Sequence, residues 1–284
     1  MKNAIEAAGL CKNYPGFALR DVNFQLPEGT ILGLVGENGA GKSTIINLLM
    51  GAVPRDGGAL RVLGCDPASP EFCQARQDIG VVLDESYFPE VLSARDVARI
   101  MRSTYRNWSD EQYAALLRAL SLPERKSFKD YSRGMRMKLS IAVALSHAPK
   151  LLVLDEATGG LDPMARDEIL EILNDFTRAE DHSILISSHI VSDLEKICDS
   201  IAFVHRGRMV FCEEKDALLE DYALLRLSRR DLEAVPPEAI VSRREGPYGV
   251  EILARRAQIN DALPREHATL EDMILFFAKG VEEK

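Results

Sequence analysis

The chain has 284 residues, with 35 Lys plus Arg against 44 Asp plus Glu and a formal charge of −9 at pH 7. That acidic balance argues against a binder that works by neutralising nucleic-acid phosphates, so no nucleic-acid partner is expected. Hydrophobic residues at 46% and charged residues at 28% describe a globular chain able to bury a core, as one large domain or one domain with a small appendage.

The first ten residues carry Glu6 and lack an apolar core, so no secretory signal is expected. No apolar run approaches the about 20 residues of a membrane span. Cys11, Cys65, Cys73, Cys198 and Cys212 are odd in number and show no CxxC spacing. They are expected to be free thiols in a reducing compartment, packed as small apolar side chains.

In chain order, the first strong element is the apolar strand over 31–35, followed by Gly36-Glu37-Asn38-Gly39-Ala40-Gly41-Lys42-Ser43-Thr44 and a helix over 43–50. The run fits G-x-x-x-x-G-K-[ST] in the strand-to-helix setting that this motif needs. Its glycines allow backbone amides to face phosphate oxygens, Lys42 reaches the β and γ phosphates, and Ser43 offers its hydroxyl to magnesium. A second strand over 79–83 runs into Asp84 and Glu85. Residues from about 87 to 150 then read as helices, with no strand between 91 and 121.

The strand over 151–154 ends in Asp155 and Glu156. Beside a phosphate loop, the first acid suits a magnesium shell and the second a general base toward an attacking water. Asp162-Pro163 is an N-cap and first-turn pair opening a helix with Ile169, Leu173 and Phe176 on one face. Apolar runs at 184–187 and 201–204 complete a set expected to form a largely parallel sheet buried on both faces. Beyond about 215 the pattern changes to short strands over 222–228, 239–244 and 249–254, with a turn at Gly246-Pro247-Tyr248. Thr269-Leu270-Glu271-Asp272 is a capping-box start to a last helix with a stripe of Leu270, Met273, Ile274 and Phe277. The expected fold is α/β: a P-loop NTPase core with a mostly parallel sheet (1–215), an inserted helical subdomain (about 87–150), and a small α+β appendage (216–284).

About twenty residues before Asp155 stands Tyr131-Ser132-Arg133-Gly134-Met135-Arg136. Here the chain resembles the ATP-binding-cassette (ABC) family, whose signature motif reads LSGGQ with variants of the YSxGM type. The resemblance covers roughly residues 4–215. It implies that Ser132 and Gly134, at a helix N-terminus, bind the γ-phosphate of ATP held by the P-loop of a second subunit, which places Mg-ATP at a dimer interface. It also implies that Tyr14 stacks on adenine and that Asp162, in Gly160-Leu161-Asp162, contacts the opposite subunit as well as capping its helix. His189 would hold the γ-phosphate and the attacking water. Two positions depart from the family pattern: Ala157 stands where Pro is usual, and Asp84 where Gln is usual. Asp84 either reaches magnesium, directly or through water, in a closed dimer, or is with Glu85 a solvated loop acid facing a membrane partner. His147, His182, His205 and His267 match no family position and are expected at the surface or in packing.

What the resemblance implies is an ATPase subunit of an ABC transporter, at the cytoplasmic face of the membrane. Its cofactors would be ATP and Mg2+. Its partners would be a second copy or a paralogous subunit, with separate membrane-spanning permease subunits of the exporter-like, ABC-2 type. The alternative is a soluble ABC ATPase driving assembly of a partner complex such as an iron–sulfur scaffold. A third class, a purely regulatory nucleotide-binding module, is opposed by the presence of Lys42, Glu156 and His189.

Overall fold

The computed structural model describes residues 2–84, 88–246, 249–260 and 263–282. Strands β1 (Asn3–Tyr14) and β2 (Phe17–Pro27) form an antiparallel hairpin closed at Pro15-Gly16, where Gly16 takes φ +82°. β3 (Ile31–Val35) leads into α1 (Lys42–Leu49), and β4 (Gly57–Val62) returns to pair with β1. This three-stranded antiparallel sheet is not among the elements expected from sequence. Register shifts along β1 on both of its edges interrupt the alternation of buried and exposed residues that would have marked it.

The short α2 (Phe72–Ala75) precedes β5 (Ile79–Val82). Three helices follow: α3 (Ala94–Thr104), α4 (Asp110–Ala119) and α5 (Arg133–Leu145). They enclose their own core of Val97, Tyr113, Leu117, Phe128, Tyr131 and Leu139, so the stretch from 88 to 150 is helical as expected. Glu85 and the expected subdomain start at Tyr87 lie outside the described residues.

β6 (Leu151–Asp155), α6 (Pro163–Phe176), β7 (Ser183–Ser187), α7 (Val191–Ile197), β8 (Ser200–His205) and β9 (Arg208–Glu214) complete the central sheet, ordered β5-β6-β7-β3-β8-β9. All its pairs are parallel except β8 with β9. Every residue of β3, β6 and β7 is buried, which is why these strands read as unbroken apolar runs. The order brings the C-terminal ends of β3, β6 and β7 side by side, the position at which open α/β sheets place their ligands.

After α8 (Lys215–Asp221), strands β10 (Tyr222–Leu227), β11 (Ile240–Gly246), β12 (Gly249–Arg255) and β13 (Glu266–His267) form an antiparallel sheet ordered β11-β12-β10-β13, closed by α9 (Leu270–Glu282). The expected boundary at 215/216 falls at the start of α8. Pro247 and Tyr248, of the expected turn, lie outside the described residues. Thr269 and Asp272 exchange side-chain and backbone hydrogen bonds at 3.1 Å each, a capping box at the start of α9. The buried stripe of α9 is Leu270, Met273 and Phe276, while Ile274 and Phe277 are only partly covered. The difference arises because α9 leans on two surfaces at once, its own sheet and the ATPase core, where the Phe277 ring lies 5.1 Å from Phe211. All five cysteines are free; Cys198 is buried as expected, whereas Cys73 is exposed.

Candidate active site

The loop leaving β3 turns at Gly39 (φ +82°) and Gly41 (φ +119°), conformations that L side chains rarely adopt. Gly41 caps α1 without a side-chain hydrogen bond, which leaves the amides of the first turn free for an anion. The Lys42 ammonium is buried and donates to the Gly36 carbonyl at 2.6 Å. Together with the Glu37 carbonyl at 3.5 Å, that carbonyl fixes the direction of the lysine and leaves its charge at the loop mouth.

Asp155 ends β6, Glu156 follows it, and both face the same cleft. Ser43 Oγ donates to Asp155 Oδ2 at 3.0 Å, and Ser187 Oγ donates to Asp155 Oδ1 at 2.5 Å. Glu156 takes φ +53°, an uncommon conformation for a residue with a Cβ. Its backbone N–H donates to both the carbonyl and the hydroxyl of Ser187, each at 3.1 Å, so β7 holds the strained residue in place. The Glu156 carboxylate thereby sits between Lys42 Nζ at 3.5 Å and His189 Nδ1 at 2.5 Å. The His189 backbone N–H also donates to it at 3.2 Å.

A cleft of about 380 Å³ joins these groups: Glu37, Asn38, Gly39, Gly41, Lys42, Ser43 and Thr44 of the loop meet Asp84, Asp155 and Glu156. Gly36 and Ala40 form the base of the loop, with Ala40 buried and its carbonyl accepting from the Gly207 N–H. Phe17, not Tyr14, lines the cleft; Tyr14 stands exposed at the end of β1 with Lys12 Nζ 5.5 Å from its ring centre. Asp84 on the rim pairs with Arg133 of the same chain at 3.0 Å, a partner that neither reading of Asp84 foresaw.

Ser132 and Gly134 are not among the residues lining this chain's own cleft. Ser132 caps α5 by accepting from the Met135 N–H at 3.2 Å, and Asp162 caps α6 by accepting from the Ala165 N–H at 3.0 Å. Among the described residues no group of three or more His, Cys, Asp or Glu side chains is placed to hold a metal.

Residues 19–159 match the model of the ABC transporter family. The lantibiotic transport ATP-binding protein SrtF of Streptococcus pyogenes is 36% identical over 200 residues, spanning 70% of this chain and 85% of that protein. This chain belongs to the ABC transporter family. The bacitracin transport ATP-binding protein BcrA of Enterococcus faecalis is 33% identical over 214 residues, 74% of this chain and 69% of that one. Among solved structures, the ATP-binding subunit of an ABC transporter superposes with a TM-score of 0.69 at 29% identity, covering 76% of this chain and 91% of its own. The protein is thus an ATP-binding, ATP-hydrolysing subunit of an ABC transporter. The iron–sulfur scaffold alternative falls away, since the relatives are transport ATP-binding proteins.

Within this ABC ATPase, sequence reasoning missed Ser187 and Phe17. Ser187 is the first of two adjacent serines at the end of an apolar strand, and only the parallel register that sets it opposite Asp155 gives it meaning. Phe17 lies in a hairpin that the sequence did not reveal.

Proposed function

We propose that two copies of this chain, or one copy and a paralogue, close head to tail on two Mg-ATP molecules and drive an exporter-type permease from the cytoplasmic face of the membrane. The observation that carries this reading is the Glu156 carboxylate, held between Lys42 and His189 at the mouth of the P-loop. In this reading Lys42 offsets the β and γ phosphate charge, Glu156 accepts the proton of the attacking water, and His189 orients that water and the terminal phosphate. The uncapped first turn of α1 receives phosphate oxygens, and Phe17 and Tyr14 flank the adenine end. The starts of α5 at Ser132 and Gly134 face the nucleotide of the second subunit, with Asp162 at the same interface.

Ser43 and Asp155 are the groups that would hold magnesium. Both are hard oxygen donors already within hydrogen-bond distance of each other, and a cation that keeps several water or phosphate ligands needs few from the protein. Magnesium, when bound, draws charge from the phosphate oxygens. Asp84, on the rim of the same cleft, would supply a further oxygen, directly or through water, once the dimer closes. Among the described residues no helix is long and apolar enough to cross a membrane, so separate permease subunits would supply the transport path. The naming of relatives for lantibiotic and bacitracin transport supports antimicrobial compounds as the class of cargo.

Glu156→Gln tests the reading. ATP binding should persist while hydrolysis slows by about 10²- to 10⁴-fold, the usual contribution of an acid–base group. The variant should elute as an ATP-dependent dimer in size-exclusion chromatography. Near-normal turnover with no dimer would remove the assignment.

A further inference from the structure

Helices α6 and α7 begin at the two loops that matter for a closed dimer: α6 at Asp162, and α7 two residues after His189. An ion pair that the mechanism above does not use, buried at its Asp193 end and partly exposed at its Arg166 end, joins them. Arg166 Nε lies 3.6 Å from Asp193 Oδ2, a charge contact rather than a hydrogen bond, and Asp193 is only 2% exposed. A second nitrogen of the same guanidinium, Nη2, donates to the Leu161 carbonyl at 3.4 Å, inside Gly160-Leu161-Asp162. One rigid planar group therefore touches the 160–162 loop with one nitrogen and the first turn of α7 with another.

Asp193 follows His189 by four residues. It lies one helical turn beyond the histidine, its N–H donates to the Ile190 carbonyl at 3.1 Å, and the Ile190 N–H donates to Ser188 Oγ at 3.0 Å. The Asp193 carboxylate is thus carried on the same hydrogen-bonded turn of chain that follows His189. Stability alone does not explain the pair, because a buried ion pair is often no more stabilising than an apolar pair of the same volume. Separating it is another matter: an unpaired buried charge is strongly unfavourable, so when the Leu161 carbonyl shifts the guanidinium, Asp193 must follow. The other α6–α7 ion pair, Lys196 with Asp167 at 3.1 Å, is solvent-exposed and cannot enforce this.

We propose that Arg166 and Asp193 are positioning residues that couple the 160–162 loop to His189, so that contact of Asp162 with a second subunit sets the approach of the histidine to the terminal phosphate. The proposal rests on the dimer reading given above. Neither residue touches nucleotide; they transmit the state of one interface to the chemistry of one site.

The experiment uses the full chain with Arg166→Met and Asp193→Leu combined, which removes both charges and leaves no orphan. Thermal unfolding should match wild type, and affinity for a fluorescent ATP analogue should be unchanged. Turnover number should fall by about 3- to 30-fold, the range of coupling through such networks, and the Hill coefficient for ATP should drop toward 1. Asp193→Glu, which keeps the charge, should recover much of the turnover that Asp193→Asn loses. A folded double variant with wild-type turnover and Hill coefficient would overturn the proposal, as would single variants that lose only thermal stability. ATP-dependent dimerisation of Glu156→Gln is measured alongside. If that dimer forms and the double variant behaves as wild type, only the coupling fails; if it does not form, the dimer reading fails first and the coupling with it.

Discussion

The nucleotide cleft and the C-terminal sheet are both fed by strands, yet their residues are held by different forces. At the ends of β3, β6 and β7 the strands stop, positive-φ residues turn the chain after β3 and β6, and charged groups such as Lys42, Asp155 and Glu156 are fixed by a few directed hydrogen bonds. In β10–β13 with α9 the side chains that matter are apolar and are fixed by burial, with Leu224, Leu253, Leu270, Met273 and Phe276 sharing the core of the ATPase domain. Chemistry constrains the first region residue by residue, and packing constrains the second only by volume and face. Loss of function should therefore separate cleanly: changes in the cleft lower the rate, and changes in the appendage lower stability.

The largest effect tests the cleft side. Lys42→Ala removes a buried ammonium whose direction is set by the Gly36 carbonyl, and turnover should fall by at least about 10²- to 10³-fold. Thermal unfolding should stay near wild type. A collapse of the melting temperature would show that the loop depends on its lysine for folding and would break the comparison.

Phe276→Ala is the counterpart in the appendage. The ring is 1% exposed, with the Arg244 guanidinium 5.2 Å from its centre. Its loss should lower the unfolding free energy by about 3–5 kcal/mol in a denaturant titration, with turnover per folded molecule unchanged. A fall in turnover with no loss of stability would place the appendage in the catalytic cycle.

Asp84→Asn probes the rim. If Asp84 leaves Arg133 for the cation in the closed dimer, the dependence of ATP affinity on magnesium should shrink, by about tenfold or less because both partners are exposed. An unchanged magnesium effect would leave Asp84 as a solvated loop acid paired with Arg133.

The smallest effect lies in the helical subdomain. His147 is 1% exposed, its ring centre lies 3.9 Å from that of Tyr105 at a tilt of 45°, and neither ring nitrogen has a hydrogen-bond partner. Burial pushes its pKa from 6.5 down to about 4, against a weaker upward pull from Asp78. The unfolded chain therefore binds a proton that the folded chain refuses, and stability is lost as pH falls through the window from 6.5 to about 4. Melting temperature against pH should fall more steeply there in wild type than in His147→Phe. Parallel curves would mean that the imidazole finds a partner in the folded state.

Where a residue's own chemistry fixed it, the sequence was sufficient. Gly36 to Thr44, Asp155, Glu156 and the positions of the apolar strands were legible because a phosphate loop needs glycine, lysine and hydroxyl at set spacings, and because strands buried on both faces cannot alternate. The helical character of 88–150 and the start of α9 were legible for similar local reasons, through capping and periodicity. Other features depended on which elements came together. The β1-β2-β4 sheet hides behind register shifts, and Phe276 is buried because α9 touches two surfaces. Phe17 lines the cleft because a hairpin folds over Gly41. Ser187 acquires its role only when β7 pairs in register with β6, and Arg166 meets Asp193 only when α6 packs against α7. Sequence alone singled out the groups whose proposed roles follow from their own covalent chemistry. Only the tertiary structure decided the partners of those groups, since a hydrogen bond or ion pair between distant residues depends on strand order and helix packing and leaves no local pattern.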